Sequence, residues 1–216
     1  KTDTSPSIRR KSCITKKATE GGGDAGPGGR ERDALLRELM AYRARWPGEG
    51  VLVDRFADFL RETPGAFRRE TPAGHVTGSA WLVNRAGTHV LLTHHRKLGR
   101  WLQLGGHADG DARAFHVALR EAEEESGLDG LVPVWNRLFD VDVHRIPARG
   151  EEPAHLHWDL RYAFRTAGSE AFRVSRESRE LRWVPMDRLA ELTTEESMLR
   201  MARKWRMAAG AIGENS

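Results

Sequence analysis

The stretch GGHADGDARAFHVALREAEEESGL, residues 105–128, restricts this chain more than any other. Asp111 stands where an N-cap would start a helix, and Gly127 fits the left-handed position that stops one. At about 100° per residue, Phe115, Ala118, Leu119 and Ala122 fall on one core-facing arc. Glu121, Glu124 and Glu125 share an adjacent arc, and Glu123 points away from both. Like charges at i, i+4 cost a helix roughly 0.2–0.5 kcal/mol each, and the dipole disfavours anions in the last turns. Helix propensity therefore gives no reason for the crowding. A hard divalent cation would, because Mg2+ takes oxygen ligands from one or two carboxylates and shares the rest with water and phosphate. A solvated acidic face is the alternative. Gly105 and Gly106, read as a loop ahead of the helix, let backbone groups approach a substrate.

Around this unit the chain changes character several times. Residues 31–46 have a helical stripe of Leu35, Leu36, Leu39 and Met40, and residues 51–62 form a second helix between Pro47-Gly48 and Pro64-Gly65. HVTGSAWLV (75–83) and THVLLTHH (88–95) are strand candidates joined by a turn. VPVWNRLFDVDVHRI (132–146) and HLHWDLRYAFR (155–165) both alternate in period two. In the second, His155, His157, Asp159 and Arg161 share one face, and Leu156, Trp158, Leu160 and Tyr162 the other. LRWVP is a short strand, and MDRLAEL and TEESMLRMARKWRMA close the chain as helices. The pattern is a mixed sheet with helices on both faces, an α/β/α sandwich preceded by a small helical segment.

The segment 105–128 resembles the Nudix box: Gly, five residues, Glu, seven residues, then Arg-Glu-apolar-any-Glu-Glu-any-Gly-apolar. Gly106 takes the first position, and Arg120, Glu121, Ala122, Glu124, Glu125, Gly127 and Leu128 fill the second half at the family's spacing. The box's first Glu is replaced by Ala112; Asp109 and Asp111 lie close by as substitutes. The resemblance covers about residues 70–190. It implies a Nudix domain over 69–212, preceded by the helical extension over 31–68 that the periodicity gives.

It also implies a pyrophosphohydrolase that cleaves a diphosphate linkage in a nucleotide or a nucleoside diphosphate derivative, with Mg2+ or Mn2+. By carry-over, Glu121, Glu124 and Glu125 are metal ligands, joined by the Gly106 carbonyl, with Glu121 or a loop Glu assisting as general base, and Arg120 orients the carboxylates. Some family members add a catalytic Glu from a later loop, for which Glu151 and Glu152 are the candidates. His95, Arg100, His107 and His157 are candidate substrate contacts; a zinc site built from the histidines, and ordinary surface or packing roles, are the other readings. Trp81, Trp101 and Trp158 are candidates to stack on a base or to fill the core.

Isopentenyl diphosphate isomerases share the fold but need a catalytic Cys, and the sole cysteine, Cys13, lies near the N-terminus. A catalytically weak nucleotide-binding sensor is the alternative that Ala112 supports. The charge balance bears on partners. Residues 1–30 hold seven Lys or Arg against three Asp or Glu, whereas the other 186 residues carry 28 of each sign. The body is therefore neutral overall and gives no reason to expect specific nucleic-acid binding. Residues 1–30 read as a disordered basic, Gly-rich tail. The absence of an apolar run long enough for a membrane or a leader leads us to expect a cytoplasmic protein. The helices at 31–62 offer either a homodimer contact or packing on their own subunit.

Overall fold

The computed structural model describes residues 27–213. The tail expected over residues 1–30 lies, up to residue 26, outside the described residues. Two helices open the fold, α1 (Pro27–Arg45) and α2 (Gly50–Glu62). Eight strands follow in one mixed sheet: β1 (Gly74–Val83), β2 (His89–His95), β3 (Trp101–Leu102), β4 (Leu104–His107), β5 (Leu131–Pro133), β6 (Asp140–Ile146), β7 (His155–Thr166) and β8 (Ser178–Pro185). Helix α3 (Ala114–Ser126) lies between β4 and β5, and α4 (Glu196–Gly213) closes the chain.

The centre of the sheet is the parallel pair β1 and β7, in register from Gly74 opposite Leu156 to Val83 opposite Arg165. β1 is buried along its whole length, as a strand covered on both faces must be. β4 runs antiparallel to the middle of β1, with Gly78 opposite Gly106 and Ser79 opposite Gly105. β6 and β5 pair with the two halves of β7, and β8 pairs along β2.

Alternation divides the side chains between two cores. Val76, Ala80, Leu82, Trp158, Leu160 and Tyr162 face α1, α2 and α3, whereas Trp81, Val83, Val90 and Leu92 face α4. Trp158 stacks on Phe59 at 4.2 Å between ring centroids and meets Phe56 edge-on at 5.3 Å. Such pairs add ~0.5–1.5 kcal/mol each beyond area burial and fasten α2 to β7. The N-terminal helices thus pack on their own sheet.

Several expectations are corrected. Gly105 and Gly106 lie in a strand, not a loop, because both pair with β1. The period-two segment 132–146 is two strands: residues 134–139 stand opposite only Tyr162 and Ala163 and leave the ladder. Trp135 and Phe139 then drop into the α4 core beside Trp205. MDRLAEL yields only a 3-10 turn at Leu189–Glu191. Met40 is 38% exposed, and Tyr42 takes the next buried place in α1 after Leu39.

Candidate active site

Helix α3 is seated by the absence of a side chain. A Cβ on Gly78 would come within 2.9 Å of the Ala114 carbonyl oxygen and of Val117 Cγ1. The helix therefore rests directly on β1, and its buried face is Ala114, Val117, Ala118, Ala122, Glu125 and Ser126. This rotates the expected core arc. Phe115 and Leu119 are only partly buried, and Glu125 belongs to the buried face. Asp111 does not cap the helix directly; its Oδ1 accepts the Arg113 N–H at 2.9 Å, just ahead of the first turn. Gly127 ends the helix at φ 63° as expected.

The acidic cluster forms where α3 crosses β4. A Cβ on Gly106 would lie 2.4 Å from Glu121 Oε2, so only glycine lets the strand and the carboxylate meet. Arg120 Nη2 donates to Glu121 Oε1 at 2.9 Å and to the His107 carbonyl at 3.3 Å. Glu125 is 6% exposed. The Gly105 backbone works against that burial, while Glu125 Oε2 has no partner among the described residues. Burial first, and the Glu121 charge second, push the Glu125 carboxyl up to about 8. Burial likewise raises Glu121 against the opposing pull of Arg120. Glu124 is exposed on the next position of the face, and Glu123 is exposed beside it. A buried acceptor without a partner costs ~1–3 kcal/mol, more for a charged group. The arrangement is therefore held at a loss unless a cation or a proton is present.

Glu177 joins this cluster, and sequence reasoning missed it. It precedes β8, and its charge raises both Glu121 and Glu125 and acts on His95. Only the pairing of β8 with β2, which puts Ser178 opposite His95, brings it there. Nothing local in VSRESRE marks it.

A second cluster lies on the other face of the sheet. His75 of β1 pairs with His157 of β7, and His155 follows two residues earlier on the same strand face. Ring centroids lie 4.8 Å apart for His75–His157, 4.9 Å for His75–His155 and 5.2 Å for His155–His157. His107 stands 4.9 Å from His75, and His144 5.5 Å from His157. Burial pushes His75 down to about 4 and holds His107 and His157 below their ordinary value, with the neighbouring imidazoles adding to the fall. His107 is the meeting point of the two clusters: its carbonyl takes Arg120 and its ring faces His75.

The same face continues into a charged row. Asp159 accepts from Thr77 (2.9 Å), Ser79 (2.7 Å), Gln103 (3.2 Å) and Arg161 Nε (2.7 Å). Arg161 also holds Asp140 and Asp142, and α4 contributes Arg200 and Lys204 to Asp140. Each charge is paired, so this row ties α4 to β6 and β7.

A family model described as the NUDIX domain matches residues 73–205. The chain belongs to the Nudix family. Among curated relatives, a putative 8-oxo-dGTP diphosphatase 3 of Mycobacterium tuberculosis is 30% identical over 145 residues. The match covers 62% of this chain and 64% of the relative, so this Nudix chain spans a little under two thirds of that protein's length. Among solved structures, a Nudix hydrolase from M. smegmatis is 22% identical at a TM-score of 0.48, covering 64% of this chain and 88% of that one. An Ap4A hydrolase from C. elegans is 16% identical at a TM-score of 0.47, with coverages of 63% and 98%.

The expected site residues of this Nudix chain divide between the two clusters. Glu121, Glu125, Arg120 and Gly106 come together. His107 and His157 sit in the histidine cluster, and Glu152 Oε1 lies 3.8 Å from His155 Nε2. Glu151 is exposed at the tip of the same loop. His95 accepts the Leu98 N–H at 3.2 Å, and Arg100 pairs with Glu195 at 2.5 Å. Neither proposed stand-in for the Glu missing at Ala112 bonds to Arg120, and each acts on it only through its charge. Asp109 pairs with Arg69 and Asp111 with Arg113. Trp81 and Trp158 are core, and Trp101 is half-buried, stacked on His94 at 5.2 Å with Arg182 over its ring at 4.9 Å. Among the described residues no helix is long and apolar enough to cross a membrane.

Proposed function

We propose that this chain is a divalent-metal-dependent pyrophosphohydrolase that cleaves a diphosphate linkage in a nucleotide or nucleoside diphosphate derivative. The observation that carries the reading is Glu125: a buried carboxylate with an oxygen that has no partner among the described residues, packed beside Glu121 against a Gly-Gly strand. That donor set fits a hard cation such as Mg2+ or Mn2+, which takes carboxylate and carbonyl oxygens. Glu121, Glu124 and Glu125, with the Gly106 carbonyl, would hold it. When bound, such an ion neutralises the diphosphate and lowers the pKa of an attacking water.

The protein's own groups supply the rest. Arg120 fixes the Glu121 carboxylate through the bond at 2.9 Å and remains a cation beside the anionic linkage. Glu177 acts as the general base, since it is an exposed carboxylate whose charge acts on both Glu121 and Glu125. His95, which lies within the field of Glu177, and Arg100 on the same edge contact the substrate's phosphates. The relative's name makes purine nucleoside triphosphates, oxidised ones included, the first substrates to test. Residues 31–68 act as an accessory helical extension that braces β7, and residues 69–212 as the catalytic domain.

The test is a hydrolysis panel of nucleoside triphosphates and nucleoside diphosphate derivatives with Mg2+ or Mn2+. Wild-type protein should release phosphate or pyrophosphate products from at least one. Glu124→Gln and Glu125→Gln should each lose most of that turnover while Glu123→Gln retains it. No turnover on any compound, or turnover unchanged in both variants, would sink the reading.

A further inference from the structure

We infer that His75, His155 and His157 form a second metal site, for a zinc-class transition ion, on the face of the sheet opposite the acidic cluster. One ligand atom from each lies within 4.8 Å of the others. At the ~2.0–2.1 Å bonds that zinc makes to imidazole the ligand nitrogens stand about 3.3 Å apart, so the widest of those gaps closes by about 1.5 Å.

Three features separate this group from a chance stack of rings. First, both ring nitrogens of His75 and the Nε2 atoms of His155 and His157 are buried without a hydrogen-bond partner among the described residues. Imidazoles that merely fill a core normally direct their nitrogens to a partner. Second, His155 Nδ1 donates to the Pro153 carbonyl at 2.9 Å, which leaves the Nε2 lone pair facing the other two rings. A ligand histidine is held in this way, through the nitrogen that does not bind the ion. Third, the donors sit on the two best-supported strands of the sheet, with His75 directly opposite His157, so the separation is set by the ladder and not by a loop.

The donor chemistry selects the ion. Neutral imidazoles favour zinc, nickel, copper or iron over Mg2+, which demands oxygen. The two clusters therefore discriminate: the acidic group takes the hard ion and the histidine group the softer one. Glu152 is placed as the fourth ligand, with Oε1 3.8 Å from His155 Nε2 on a turn closed by reciprocal bonds to Arg149. The ion would pin that turn to β1 and β7 next to His107, whose carbonyl takes Arg120.

The experiment titrates the chelator-treated full chain with Co2+ in the presence of excess Mg2+, read by visible absorption. One Co2+ per chain is expected, with ligand-field bands of low-coordinate geometry, and X-ray absorption should show imidazole scattering. His155→Gln and His157→Gln should each abolish uptake, Glu152→Gln should weaken it about tenfold, and Glu124→Gln should leave it intact. Zn2+ should raise the Tm of wild type and Glu124→Gln but of neither histidine variant. Absence of uptake by wild type, an oxygen-only shell, or uptake retained in both folded histidine variants would overturn the inference. If the variants do not fold, the wild-type stoichiometry and absorption shell decide it alone. The outcome is independent of the hydrolysis panel, which tests the acidic cluster.

Discussion

Replacing Glu125 by Gln keeps the shape of the side chain but removes the charge. In the folded, metal-free chain, burial and Glu121 push the Glu125 carboxyl from 4.5 up to about 8. Between those values the folded chain keeps a proton that the unfolded chain has released. Wild-type stability therefore falls as pH rises through this window and is insensitive to Glu125 outside it. Each tenfold change in proton affinity is worth ~1.4 kcal/mol, so the whole fall is at most about 5 kcal/mol, and about 2–3 kcal/mol once the helix end relaxes. Urea unfolding in EDTA at pH 5 and at pH 8.5 measures it. The wild-type chain should lose that amount relative to Glu125→Gln between the two. Added Mg2+ should reverse the order at the higher pH, because a divalent ion stabilises only the ionised carboxylate. Parallel pH dependences of wild type and variant would refute the account of a strained, buried carboxylate.

Three further outcomes follow from the same geometry. Gly106→Ala puts a methyl group 2.4 Å from the mobile end of Glu121, so the melting temperature should barely change while turnover drops on the order of 10²-fold, the cost of an ångström's misplacement. Glu177→Gln should lower kcat about 10²-fold while leaving Mg2+ affinity, measured calorimetrically, within about threefold of wild type; an unchanged kcat would remove Glu177 from the mechanism. Asp140→Asn strips a fully buried anion from Arg161, Arg200 and Lys204 and should cost about 3–5 kcal/mol in urea unfolding.

Much of this protein was legible in its sequence because the signals were local. Gly127, the acidic arc and the alternation of His155, His157, Asp159 and Arg161 follow from helix and strand periodicity, and periodicity survives whatever packs around it. The mixed sheet with helices on both faces was visible for the same reason. The spacing from Gly106 to Glu125 also identified the family before any packing was known.

What the sequence left open depended on partners far along the chain. Gly105 and Gly106 read as a loop because their strand is defined by β1 and not by β-forming residues of its own. Phe115 and Leu119 outrank Val117 on hydrophobicity, yet the contact with Gly78 decided which face of α3 is buried, and so made Glu125 a buried acid. Glu177 carries no local mark, and the β2–β8 ladder alone brings it to the acids. The histidines were countable from the start, but their assembly needed the parallel register of β1 with β7, a pairing between residues some eighty positions apart. Local chemistry fixed which side chains were available; long-range pairing decided which of them meet.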